Sequence, residues 1–171
     1  MTSTLWAPWR MAYITGPRPT GCFFCEIAKE DADRQNLILH RGSLTFVVMN
    51  RYPYNNGHLM VVPYSHSGSL DAFSDSESLA IMRDAQRVTC ILQEAFRAEG
   101  FNLGFNLGQF AGAGVADHVH LHIVPRWGGD TNFMPVLADT KVMPEYLDAT
   151  YDKLVPYFRA GEVREVSCSS E

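Results

Sequence analysis

Residues 118–125 read His118-Val119-His120-Leu121-His122-Ile123-Val124-Pro125. In an extended chain successive side chains point to opposite faces, so His118, His120 and His122 share one side and Val119, Leu121 and Ile123 the other. The apolar side turns to a core. Three imidazoles stacked on a plain core face would leave ring nitrogens unpaired, so their side lines a cleft or binds something. Two chemistries suit such a strand: metal ligation, and nucleophilic attack by a neutral imidazole, whose ordinary pKa is about 6.5.

Working outward, the preceding segment Gly108-Gln-Phe-Ala-Gly-Ala-Gly114 is a glycine-rich connection from a strand expected over Phe101–Leu107. Further upstream, Asn36–His40, Leu44–Asn50 and His58–Pro63 read as strands, broken by Arg41-Gly42-Ser43 and by Arg51–Gly57. Between 77 and 99 the period changes. Ile81, Ala85, Val88, Leu92 and Ala95–Phe96 recur at three- and four-residue steps, which predicts one long helix. Ser74 with Glu77 forms a capping-box signature, and Gly100 stands where a helix C′ residue belongs. A shorter helix is expected from Pro144 to Phe158, with Pro156 weakening its last turn. Five strands clustered around helices, without βαβ alternation, predict an α+β fold with an antiparallel sheet, one long helix and one C-terminal helix.

The 171 residues fit a single domain spanning 1–171, with a non-regular arm over 1–20 and a polar C-terminal tail over 160–171. Trp6, Trp9 and Tyr13 predict that the arm packs by its aromatics, across a subunit contact. The apolar share of 46% supports a core, and the net charge of −5 argues against nucleic acid as a partner. No membrane-length apolar run or secretory leader is visible, so the expected location is cytoplasmic, with Cys22, Cys25, Cys90 and Cys168 reduced and Cys90 a buried apolar filler.

Phosphate chemistry is favoured by the neighbours of the histidines. Gly112 and Gly114 let a loop turn backbone N–H groups toward an anion, and a flanking imidazolium can neutralise phosphate oxygens and protonate a leaving group. Cys22-x-x-Cys25 has the bite of a zinc knuckle, although the spacing alone also fits a redox pair.

The segment HVHLHIVPRW resembles the His-x-His-x-His signature of the histidine triad superfamily of nucleotidyl hydrolases and transferases. LWAPWRMAYI, GCFFC and VPRWGGDTNFMPV are similar to the bacterial branch related to diadenosine tetraphosphate phosphorylases (ATP adenylyltransferases), so the likeness covers residues 5–136. The resemblance implies a HIT-like fold and a role for each motif position. His120 corresponds to the nucleophile that forms a nucleotidyl-imidazole intermediate, and His122 to the histidine beside the phosphate oxygens. Asn50 matches a ribose contact, His58 a neighbour of the three histidines, Asn106 a phosphate-side asparagine and Trp127 the tryptophan after the histidine strand. Leu44, Phe46 and Val48 alternate on a strand, and some such apolar residues border the purine in this family; ordinary core is the other reading of each. The implied substrate is an adenine nucleotide, above all a dinucleoside polyphosphate, with water or phosphate as second acceptor.

One departure stands out. Many members carry Gly-Gln-Ser or Gly-Gln-Thr ahead of the histidines, whereas this chain has Ala113-Gly114-Val115, which offers backbone amides alone. The resemblance also implies structural zinc on Cys22, Cys25, His66 and His118, no organic cofactor, and a two-fold homodimer. Two other classes remain open from sequence: a hydrolase whose three histidines bind a catalytic zinc, and a nucleotide-binding regulatory protein.

Overall fold

The computed structural model describes residues 21–130 and 143–160. The aromatic arm, the C-terminal tail from 161 and Cys168 lie outside the described residues. A helix α1 (Phe23–Lys29) and a single turn α2 (Asp33–Asn36) lead into β1 (Ile38–Arg41), β2 (Thr45–Met49) and β3 (Leu59–Pro63). The long helix α3 (Asp75–Phe96), then β4 (Gly100–Phe105), β5 (Leu121–Arg126) and α4 (Leu147–Ala160) complete the order. The strands form one antiparallel sheet in the order β1-β2-β3-β5-β4, so the fold class is α+β, as expected.

Alternation divides the sheet's side chains between two layers. Val47, Met49, Leu59, Val61, Leu121 and Ile123 pack with Ile81, Ala85, Val88 and Leu92 of α3 and Leu154 and Phe158 of α4. Phe46, Val48, Met60 and Val62 face the other way, under Phe24 and Ile27 of α1. The two amino-terminal helices were not expected from the sequence; α1 is too short for a recurring apolar period to show.

Several boundaries differ from the sequence reading, each for a visible reason. The capping box at Ser74 and Glu77 is formed in both directions, yet α3 stops at Phe96 and Arg97, not Gly100, takes the left-handed conformation at φ 51°. That early stop lets Ala98 enter the core and Glu99 N–H reach Arg126 O at 2.9 Å, so Gly100 opens β4 opposite Arg126. Helix α4 starts at Leu147 and passes through Pro156. Burial of Leu154 and Phe158, each worth roughly 1.5–3 kcal/mol, outweighs a proline cost of about 3 kcal/mol. Cys90, expected to be a reduced core filler, is half-buried and disulfide-bonded.

The boundary that matters for function is that of β5. Ladder pairing with β3 runs Leu59↔Ile123, Met60↔His122 and Val61↔Leu121 and stops there. The next acceptor on β3, the Pro63 carbonyl, takes the His118 side chain at 2.9 Å instead of a main-chain N–H. His118 and His120 therefore stand in an extended lead-in before the strand, held by Val119 N–H to Ser67 O at 2.7 Å. Only His122 is within it. The alternation persists: Val119, Leu121 and Ile123 are buried, and the three imidazoles share the opposite side, with Phe24 against His118 and His120.

Candidate active site

Four imidazoles meet where β3 and β5 lie side by side. The His120 and His122 ring centroids are 4.7 Å apart, and those of His58 and His122 5.1 Å. His58 is delivered by Gly57, whose φ of +71° no bulky residue adopts readily and whose missing Cβ leaves 3.4 Å to Leu92 and Pro125. His122 has Met60 as its partner on β3 and side-chain-free Gly104 on β4, which leaves room for its ring. All four rings are at most 8% exposed: His58 1%, His118 1%, His120 5% and His122 8%.

The hydrogen bonds select a tautomer for each ring. Tyr54 N–H donates to His58 Nδ1 at 3.1 Å, and Asn50 Nδ2 approaches the same nitrogen at 3.4 Å. A neutral His58 then carries its hydrogen on Nε2 and donates it to His122 Nδ1 at 3.0 Å. His122 in turn holds its hydrogen on Nε2, at the end of the relay, where the Asn106 amide lies 3.4 Å away. His120 is oriented differently: its Nδ1 donates to its neighbour His118 O at 2.8 Å, so the Nε2 lone pair is left for chemistry.

Burial keeps these rings neutral. It is the main cause lowering His58 to about 3, with repulsion from His122 and His120 adding to it. Burial, then His120, lowers His122 to about 4. His120 is also lowered by burial, partly opposed by its bond to the His118 carbonyl.

His118 belongs to a second cluster. Its Nε2 hydrogen goes to Pro63 O, which turns Nδ1 toward Cys22 Sγ at 3.2 Å, Cys25 Sγ at 3.5 Å and His66 Nδ1 at 3.4 Å. Cys25 Sγ and His66 Nδ1 are 3.5 Å apart, and all four ligand atoms lie within 4.8 Å of one another. Tetrahedral zinc, with Zn–N about 2.0–2.1 Å and Zn–S about 2.3 Å, separates its ligand atoms by roughly 3.3–3.8 Å, so the set fits that ion. Among the described residues this is the cluster able to hold a metal, and His120 and His122 are outside it.

Other expected site residues are placed less directly. Asn50 is engaged within its own loop, accepting Tyr52 N–H at 2.9 Å through Oδ1. Gly112 adopts φ +84° but its N–H already bonds Gln109 O at 3.1 Å, so an anion cradle in this loop depends on Gly114 and the residues after it. Trp127 lies one residue beyond β5 with its indole N–H on Phe96 O at 3.0 Å, roughly 16 Å along the strand from His122. Within one chain the structure does not bring it to the imidazoles. Phe46 and Val48 do lie on the histidine side of the sheet; Leu44 precedes β2.

Two residues near the site were not singled out from sequence. Phe24, between the two cysteines, packs its ring on His120 at 4.8 Å and on His118 at 5.4 Å. Tyr54 stacks on His58 at 4.8 Å and leans on His122 at 5.7 Å. The place of Phe24 inside the Cys-x-x-Cys spacing was the signal for the first; a loop tyrosine carries none. Surface cavities of about 230 Å³ beside His40 and Phe158, and about 390 Å³ beside Leu44 and Leu79, are remote from these rings.

Comparison with known proteins agrees with this geometry. The HIT domain family matches residues 32–129. The chain is 41% identical over 155 residues to the AP-4-A phosphorylase of Mycobacterium tuberculosis, covering 85% of this chain and 79% of the relative. It is 33% identical over 105 residues to adenosine 5'-monophosphoramidase hnt1 of Schizosaccharomyces pombe, covering 61% and 74%. A crystal structure of a Zn-bound histidine triad family protein from Mycobacterium smegmatis superposes with a TM-score of 0.67 at 24% identity, covering 83% of this chain and 96% of that one.

Proposed function

The chain belongs to the HIT domain family, and from that premise we propose that it is a nucleotidyl transferase or hydrolase acting on the α-phosphate of a dinucleoside polyphosphate such as diadenosine tetraphosphate. His120 Nε2 attacks the α-phosphorus, the bond to the bridging oxygen breaks with its electron pair, and the phosphate chain departs as an anion whose oxygen accepts a hydrogen bond from His122 Nε2–H. The nucleotidyl-His120 intermediate is then attacked by phosphate or water, which restores the imidazole. The observation that carries this reading is the 2.8 Å bond from His120 Nδ1 to His118 O, because it leaves the other ring nitrogen unprotonated with its lone pair available. Substrate contacts are assigned to Asn50, Asn106, Gly112 and Gly114.

Structural zinc on Cys22, Cys25, His66 and His118 is part of the same proposal, supported by the ligand separations and by the Pro63 carbonyl that directs His118 Nδ1. When bound, the ion supplies a cross-link between α1 and the histidine segment, and takes no part in the steps above. A homodimer is proposed through the open edge of β4, where Leu103 is 46% exposed and Leu107, two residues past the strand, 43%. No described helix is long and apolar enough to cross a membrane.

The test is incubation with diadenosine tetraphosphate, with and without inorganic phosphate, reading products by mass. ADP with ATP, formed only when phosphate is present, identifies phosphorolysis; AMP with ATP identifies hydrolysis. Absence of turnover in both, or failure to trap a nucleotidyl adduct on His120, overturns the reading.

A further inference from the structure

The loop between β2 and β3 carries a feature that the reaction as described does not use. Tyr54 is 54% exposed, yet one face of its ring is applied to the catalytic imidazoles, at 29° to His58 and 34° to His122. The ring is not placed there by a wandering loop. On one side, Asn50 Oδ1 accepts Tyr52 N–H, and Asn50 N–H donates to His58 O at 3.0 Å. On the other, buried Asn55 donates to Pro125 O and to Asp130 Oδ2, both at 3.0 Å, and its carbonyl accepts His58 N–H. Tyr54 is thus held between two anchored residues. Its own main-chain N–H ends on His58 Nδ1.

We propose that Tyr54 is a positioning residue for the reaction: its ring roofs the His58–His122 hydrogen bond against water, while its N–H selects the tautomer that leaves a hydrogen on His122 Nε2. The proposal rests on the functional reading above. A hydrogen bond between two neutral imidazoles is strong only where water does not compete and neither ring is protonated. The titratable groups acting on this pair are imidazoles, His122 and His120 on His58, and His120 on His122, besides the Tyr54 ring itself. Burial is the leading influence on both rings and neighbouring imidazoles the other, so keeping water out is what holds the pair neutral. The ring does this; the hydroxyl is not needed for it.

The test compares Tyr54→Ala and Tyr54→Phe in the full chain. Because the side chain is half-exposed, truncation opens no core cavity. Imidazole resonances of His58 and His122 are followed by NMR between pH 3 and 8 without substrate. The unsubstituted protein and Tyr54→Phe are expected to stay flat through pH 5, whereas Tyr54→Ala shows midpoints moved up by about one pH unit or more. In turnover, Tyr54→Ala lowers kcat by roughly tenfold to a hundredfold with KM little changed, as misplacement of a reacting group does. Titration of Tyr54→Ala that overlays the unsubstituted protein overturns the proposal. So does a rise in KM alone, which would make Tyr54 a substrate contact, or a Tyr54→Phe change as large as that of Tyr54→Ala. The titration needs no substrate, so failure of the nucleotidyl-transfer reading leaves it interpretable.

Discussion

His118 and His120 are two residues apart on the same side of the chain, yet they belong to different chemistries. His118 gives its Nε2 hydrogen to Pro63 O and turns Nδ1 toward two thiols and His66. His120 gives its Nδ1 hydrogen to His118 O, keeps the Nε2 lone pair, and is outside that cluster. Burial is nearly the same, at 1% and 5% exposure, and burial is the leading influence lowering both. The difference lies in which ring nitrogen a carbonyl occupies. A main-chain acceptor thus sorts one histidine to the metal-capable set and the next to the reaction, and the two clusters share a wall without sharing a ligand.

That separation can be broken deliberately. The largest effect is expected from His120→Ala, which removes the nucleophile and lowers kcat by about 10⁴-fold or more, with zinc content and thermal stability close to those of the unsubstituted protein. Single-turnover kinetics with metal analysis of the same sample checks it; retained turnover, or loss of metal, would merge the two clusters. Cys22→Ser is expected to act on the other side. It releases metal and destabilises by about 3 kcal/mol, a fall in Tm of roughly 10 °C, while some activity remains. Calorimetry and residual turnover read both halves of that statement.

His58→Ala sharpens the comparison inside the catalytic cluster. Without the ring, His122 loses the partner that sets its tautomer, so kcat falls by about 10²-fold while zinc stays bound. An unchanged kcat would show that the relay through His58 Nε2 is not used. The remaining effect is a pH dependence of stability. His58 and His122 titrate near 3 and 4 in the fold and near 6.5 when unfolded, so below pH 6.5 the unfolded chain takes up protons the fold refuses. Stability from this pair is full above pH 6.5 and declines as pH falls toward about 4. Denaturation of the Cys22→Ser protein at pH 7.5, 6 and 5 measures it free of acid-driven metal release, and a flat response would remove the pair from the account.

Much of this arrangement was legible along the chain because it follows from short-range geometry. The histidine face comes from a two-residue alternation, the cap of α3 from Ser74 and Glu77, and the metal-capable pair from the spacing of Cys22 and Cys25. Where the sequence reading missed, the deciding partner was far away or the signal too short. The strand was expected to begin at His118, but the Pro63 carbonyl takes a side chain and β5 begins at Leu121. Helix α1 offers only seven residues, and Tyr54 sits in a loop with no period at all.

By itself, then, the order of residues determined that three imidazoles would share a side, that a core would lie behind them, and that thiols and a further histidine were present in a ligand-like set. Which imidazole serves which task was decided by the tertiary structure, because a ring nitrogen's role depends on the acceptor that reaches it. For His118 that acceptor is a carbonyl 55 positions away, brought into range only when β3 and β5 lie side by side.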